Sequence, residues 1–298
     1  MTDAGYTLGI SEFTTNPWTF EQDVEAYARL GAGAIEVCEF KLDPVRAAEQ
    51  MCLPAAHGLT VSSVQPVVRT LFPSQSQPEP LDVGERLARF RQSVERLAPF
   101  APGAAFVTNT GVAPGGDVQR VRDACIREYR PLAAYCADHG VRLALEPLNP
   151  FIMNIETAVW TVAQAMEIIQ AVDHPAFGLC LDCWNVWQDA DLEREITAGG
   201  DRIFVVQVSD WRAPRSFRDR LVPGRGKIPL PAFLAAVRAS GFTGAYSVEI
   251  FSADVPDALW EGDLEQTLRD SKAGMDQAWA ASVNRPWHGI TADPLPPL

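Results

Sequence analysis

Four residues with oxygen-bearing side chains stand at the ends of four short apolar runs. Glu146 closes Val141-Arg-Leu-Ala-Leu-Glu, Asp182 closes Phe177-Gly-Leu-Cys-Leu-Asp, Gln207 lies in Ile203-Phe-Val-Val-Gln-Val, and Glu249 lies in Tyr246-Ser-Val-Glu-Ile. A carboxylate at the exit of a buried strand is costly unless something pairs with it. Taken singly, each could pair with a nearby arginine or a helix N-terminus. Their recurrence at matching positions of successive strands points instead to a shared divalent cation. Three carboxylates and one carboxamide oxygen form a hard donor set that suits one Mn2+ ion, with Mg2+ or Co2+ as alternatives, and favours zinc or copper less.

The elements that must position these residues follow from the rhythm of the chain. Apolar runs at 6–10, 34–39, 60–65, 104–109, 141–146, 177–182, 203–208 and 245–250 read as strands. Amphipathic segments at about 19–30, 43–57, 82–100, 117–139, 157–172, 191–198, 230–240 and 261–282 read as helices. Short strands alternating with helices predict βα units and a parallel sheet. Eight such units in 298 residues suit a closed (β/α)8 barrel, the TIM barrel, whose chemistry sits at the C-terminal ends of the strands. Gly31, Gly58, Gly140 and Gly241 each fall between a helix and the next strand, where a left-handed C-cap is expected. An open doubly wound sheet would show a glycine fingerprint after its first strand; Ser11-Glu-Phe-Thr-Thr-Asn-Pro-Trp has none. The expected organisation is a single barrel domain over 1–283 and a Pro-rich C-terminal tail over 284–298. The Pro-, Ser- and Gln-rich stretch 66–80 follows the third strand and could act as a lid.

Whole-chain properties narrow the partners. Hydrophobic content is 47%, charged content 21% and net charge −13. A chain this acidic disfavours phosphate backbones, so no nucleic-acid partner is expected. No apolar stretch approaches the ~20 residues that span a bilayer, and the N-terminus shows no signal-peptide pattern. Cys38, Cys52, Cys125, Cys136, Cys180 and Cys183 read as reduced thiols. A cytoplasmic protein with a small-molecule substrate is expected.

The chain resembles the xylose isomerase-like barrel superfamily, which holds sugar isomerases and epimerases, hydroxypyruvate isomerase, inosose dehydratase, 3-dehydroshikimate dehydratase and endonuclease IV. The resemblance is carried by Leu145-Glu-Pro-Leu-Asn149, Leu181-Asp182, Val206-Gln-Val-Ser-Asp210, Pro223-Gly-Arg-Gly226 and Val248-Glu-Ile250. It implies that Glu146, Asp182, Gln207 and Glu249 bind one divalent metal, and that Glu146 and Glu249 move protons on opposite sides of the substrate. It also implies that Gln207 stands where ketose 3-epimerases carry His, and it is the sole basis for expecting a homodimer or homotetramer. Asp182-Cys-Trp-Asn185 departs from the epimerases' Asp-x-x-His, so Asn185 can bind a hydroxyl but cannot act as a base. His57, His139 and His174 fall at the far end of the barrel and His288 in the tail, so the histidine-rich centre of endonuclease IV is missing.

Substrate contacts are expected from Asn185, Asn109, Gln65, Lys41, Trp18 and one arginine among Arg212, Arg215 and Arg220, which could grip an oxygen bidentately. Glu36 and Glu39 could also line the pocket. Tryptophans Trp18, Trp184, Trp187 and Trp211 cluster on loops at the metal end, where they pack the rim or stack on a ring. The leading reading is a metal-dependent sugar or keto-sugar isomerase or epimerase working by proton transfer next to a carbonyl. The alternatives are a lyase or dehydratase on the same site, resembling 3-dehydroshikimate dehydratase or the enzymes that cleave 3-keto-glycosides, and a non-catalytic sugar-binding barrel.

Overall fold

Eight parallel strands close into a barrel in sequence order: β1 Thr7–Ser11, β2 Ala34–Cys38, β3 Thr60–Gln65, β4 Ala105–Thr108, β5 Arg142–Leu145, β6 Phe177–Asp182, β7 Ile203–Val208 and β8 Ala245–Val248. The structure is a computed structural model that describes residues 5–283; the expected tail 284–298 lies outside the described residues. The helices are α1 Phe20–Leu30, α2 Ala47–Gln50, α3 Leu53–Ala56, α4 Val83–Leu97, α5 Val118–Asp138, α6 Val162–Val172, α7 Cys183–Val186, α8 Leu192–Gly199, α9 Leu230–Ala239 and α10 Leu264–Val283. Among the described residues no helix is long and apolar enough to cross a membrane.

The strands alternate between two apolar layers. Phe106, Leu143, Leu145, Leu179 and Leu181 join the large cluster shared with the helices. Their neighbours Ala105, Val107, Ala144 and Cys180 form a smaller one with Phe204 and Val205, as expected where successive side chains point to opposite faces. The four glycines expected as helix stops all have positive φ: Gly31 82°, Gly58 75°, Gly140 71° and Gly241 86°.

Two expectations about this frame are corrected. The single helix expected over 43–57 is two short ones, because Pro54, at the start of α3, has no N–H to continue α2. The stretch 66–80 is a fixed wall and not a loose lid. Leu71 and Phe72 donate their N–H groups to Asn109 O and Thr110 O, each at 2.9 Å. Arg86 of α4, 1% exposed, donates to Thr70 O and Pro80 O, both at 2.7 Å, and to Gln77 O at 3.3 Å. Gln77 in turn accepts from Arg69 N and donates to Val67 O.

A carboxylate also serves at the start of α6. Asp189 accepts from Val162 N at 2.8 Å, and Thr161 with Gln164 completes a capping box. Burial pushes the Asp189 carboxyl up to about 6, against the pull of the Val162 N–H. Because the folded-state value is raised, ionisation costs stability above that pH, and the cost is absent below the unfolded value near 4. Asp189→Asn keeps the acceptor and loses the charge. It should stabilise the fold by about 1 kcal/mol at pH 8, after allowance for partial exposure, with no gain at about pH 4. Thermal melts at the two pH values check this; an equal shift at both would rule out the burial argument.

Candidate active site

Glu146, Asp182, Gln207 and Glu249 are all buried and all at one end of the barrel. Asp182 stands in register with Gln207 across β6 and β7. Glu146 and Glu249 lie one residue past their strands, and the ladder continues through them: Glu146 N donates to Thr108 O and Glu249 N to Val208 O, each at 3.0 Å. Oxygens of Glu146, Asp182 and Glu249 lie within 4.8 Å of one another. Such a cluster of acids in a buried setting repels itself unless cations or protons offset it.

Every oxygen of the cluster is held. Glu146 accepts from Asn185 Nδ2 at 2.9 Å and Asn109 Nδ2 at 3.1 Å. Asp182 accepts from Trp184 N at 3.0 Å and Asn185 Nδ2 at 2.9 Å. Glu249 accepts from Gln207 Nε2 at 2.9 Å. Arg220 Nη1 lies 2.9 Å from both Asp182 Oδ2 and Glu249 Oε2. Its guanidinium is clamped between Trp184 and Phe251, 4.8 and 4.7 Å from their ring centres. One arginine does not offset the cluster. Burial pushes the Glu146 carboxyl up to about 7, with Asp182 adding to the rise and Asn109 and Arg220 opposing it. Burial likewise raises Glu249 and Asp182, against the pull of Arg220.

Gln207 differs from its expected part as an oxygen donor. Its Nε2 donates to Glu36 at 2.9 and 3.1 Å as well as to Glu249, and its Oε1 faces Cys180 Sγ at 3.2 Å. The reason is Glu36, which is fully buried and takes only one other side-chain hydrogen bond, from Ser63 at 2.6 Å. Glu36 therefore braces the site from beneath and does not border the cavity. Glu39 pairs with Arg96 and Ser93 elsewhere.

A cavity of about 450 Å³ opens over the cluster, bordered by Glu146, Glu249, Asn109, Asn185, Gln65 and Arg220 among others. Three expected substrate contacts are not brought to it. Lys41 is sunk against Asp23 and the Thr15 carbonyl, 3.0 Å away, with Glu12 beside it; a buried ammonium takes the nearest carboxylate. Trp18 packs on the core. Arg212 is committed to Asp219 at 2.9 Å and Asp257 at 2.9 Å, and Arg215 to the same pair. Asp210 accepts four backbone N–H groups, from Trp211, Gly224, Gly226 and Ile228 at 2.8–3.0 Å. A Cβ on Gly226 would come within 2.4 Å of Asp210 and of the Trp211 carbonyl, so this loop requires glycine there.

Sequence reasoning missed Phe13, Arg69, Phe217 and Phe251, which also border the cavity. Phe13 and Phe251 lie just beyond the first and eighth strands, so the strand-end rule that found the acids could have found them. Phe217 and Arg69 sit inside long loops and carry no such signal. His57 and His139 lie at helix ends, each 2.9 Å from a carbonyl of its own helix.

Residues 24–276 match the family of xylose isomerase-like TIM barrels, and the chain belongs to that family. Among curated relatives, the inosose isomerase of Halalkalibacterium halodurans is 33% identical over 51% of this chain and 53% of its own length. The 3-dehydroshikimate dehydratase of Pseudomonas putida is 27% identical over 78% of this chain and 36% of its own. The chain thus spans about half the length, or less, of these relatives. Among solved structures, a Sinorhizobium meliloti protein superposes with a TM-score of 0.79 at 24% identity, covering 91% of this chain and 98% of that one. The IOLI protein with a bound zinc atom superposes at 0.73 and 20% identity, covering 94% and 100%. The L-ribulose 3-epimerase of a Methylomonas species is 26% identical over 49% of this chain and 48% of its own length.

Proposed function

We propose that the protein is a divalent-cation-dependent isomerase or epimerase of a small sugar or keto-sugar, moving a proton next to a carbonyl. The observation that carries this reading is the convergence of Glu146, Asp182 and Glu249 within 4.8 Å beneath an open cavity. These carboxylates fit a hard cation, Mn2+ foremost, with Mg2+ or Co2+ as alternatives. Gln207, whose amide stands beside Glu249, would offer its carboxamide oxygen as a fourth donor if the amide were reversed. The zinc atom of the IOLI protein supports a metal in this fold family. A bound cation polarises a carbonyl oxygen and so acidifies the adjacent C–H.

The chain's own residues divide the remaining work. Glu146 and Glu249 border the cavity and Asp182 does not, so two carboxylates can reach a substrate carbon from β5 and β8. One removes a proton and the other returns it. Asn109 and Asn185 fix Glu146, while Gln207 and Arg220 fix Glu249, which limits each to a narrow range of positions. Gln65 and the N–H groups of Arg220 other than those on Asp182 and Glu249 remain to bind hydroxyl or carbonyl oxygens. A second reading, a lyase or dehydratase, draws support from the match to the dehydratase over 78% of this chain.

The test is incubation of Mn2+-loaded protein with a panel of unphosphorylated ketoses and inososes in D2O. An isomerase or epimerase incorporates deuterium beside the carbonyl and otherwise conserves mass; a lyase loses water. Elemental analysis should show about one ion per chain, as the donor set implies. Absence of both exchange and bound metal after loading with Mn2+, Mg2+ or Co2+ would sink the proposal.

A further inference from the structure

We propose that the outer half of the active-site cavity is a second subsite, which binds a planar aromatic group carried by the carbohydrate. This inference rests on the reading of the acidic end as the carbohydrate site. The cavity holds about 450 Å³, room for about 15 water-sized groups at roughly 30 Å³ each. That exceeds what a single six-carbon polyol fills. Its two ends also differ in chemistry. The inner end is built from carboxylates, carboxamides and Arg220. The remaining walls include Phe13, Leu148, Ile152 and Phe217, with Phe251 reaching from them onto Arg220.

The aromatic walls are arranged to receive a ring. Phe13 and Phe251 pack at 4.4 Å between centres and form a fixed side. Phe217 stands at the mouth with Phe151 beside it at 5.5 Å. These two are 52% and 44% exposed, although large apolar groups exposed together usually mark a binding surface. Trp184 is 2% exposed, borders the cavity, and its buried indole N–H has no hydrogen-bond partner among the described residues. At the charged rim Arg218 pairs with Asp254, Glu156 accepts from Ser76, and Arg69 stands 5.8 Å from the Phe13 ring centre. An aromatic ring can stack or pack edge-on against Phe217.

The test is calorimetric titration of the Mn2+-loaded protein with methyl β-glucoside, 4-nitrophenyl β-glucoside and 4-nitrophenol. The nitrophenyl glucoside should bind about tenfold tighter than the methyl glucoside, with the advantage falling below about threefold in Phe217→Ala. Phe217 is half exposed, so this variant should fold, and its affinity for methyl glucoside should not change. Equal affinity for the two glucosides, or an advantage that survives both Phe217→Ala and Phe13→Ala, would overturn the subsite. Failure of both aryl compounds to bind would overturn it as well. Phe217-dependent binding of the aryl compounds with no binding of methyl glucoside would uphold the subsite and overturn the carbohydrate reading of the inner end.

Discussion

Glu249→Gln should lower kcat/KM at least about 10³-fold on any substrate that shows solvent exchange, because it removes a proton-transferring group and one cation ligand together. Bound metal, measured by elemental analysis, should fall with it. The same change should not weaken the fold. Three buried carboxylates, Glu146, Asp182 and Glu249, share one buried guanidinium, Arg220, and a fourth, Glu36, lies behind Gln207. Glutamine keeps the volume, can still accept from Arg220, and relieves part of the repulsion. After chelation, the variant should therefore melt at or above the wild type. Activity within tenfold of wild type would remove Glu249 from the chemistry. A large drop in melting temperature would mean that the carboxylate is structural. Sites that trade stability for reactivity in this way are common.

Arg86→Met should be the most destabilising change away from the acids. Arg86 is almost wholly buried and has no carboxylate partner; it is spent on the carbonyls of Thr70, Gln77 and Pro80 and the Thr70 hydroxyl. Methionine fills much of the space but leaves those acceptors unsatisfied. The cost should be about 3 kcal/mol, a fall in Tm of roughly 5 °C for a chain of this size. Arg86→Lys should recover only part of it, because one ammonium cannot reproduce the planar fork. Hydrogen exchange at Leu71 and Phe72 should quicken in both variants. A Tm within about 2 °C of wild type would show that the loop is held by its other contacts.

The barrel and its acidic centre were legible because they depend on local pattern. Strand exits, helix stops and the spacing of Glu146, Asp182 and Glu249 are properties of short segments. What escaped depends on partners far apart in the chain. Lys41 looked like a pocket residue, but Asp23, on the opposite side of the first βα turn, claims its charge. Gln207 looked like an oxygen donor, but Glu36, 171 positions away, turns its amide round. Arg86 looked like an ordinary cation on an amphipathic helix, and the Pro-rich stretch before it looked loose. Only the fold shows that each secures the other. Among the three arginines after β7 the residues themselves offered no choice; Asp219 and Asp257 take Arg212 and Arg215, which leaves Arg220 for the centre.

The two loops that shape the cavity are each tied together from within. The stretch after β3 closes around Arg86, and the stretch after β7 closes around Asp210 and its four N–H donors. Neither Arg86 nor Asp210 belongs to the acidic cluster. A loop that carries its own scaffold can be lengthened, shortened or exchanged at its tip without disturbing the carboxylates below. Diversification of substrate in such a barrel can therefore proceed as replacement of prefabricated walls above an unchanged acidic floor. Grafting the 66–80 segment with Arg86, or the 211–228 segment with Asp210 and with Arg220 kept against Asp182 and Glu249, is the natural unit of redesign.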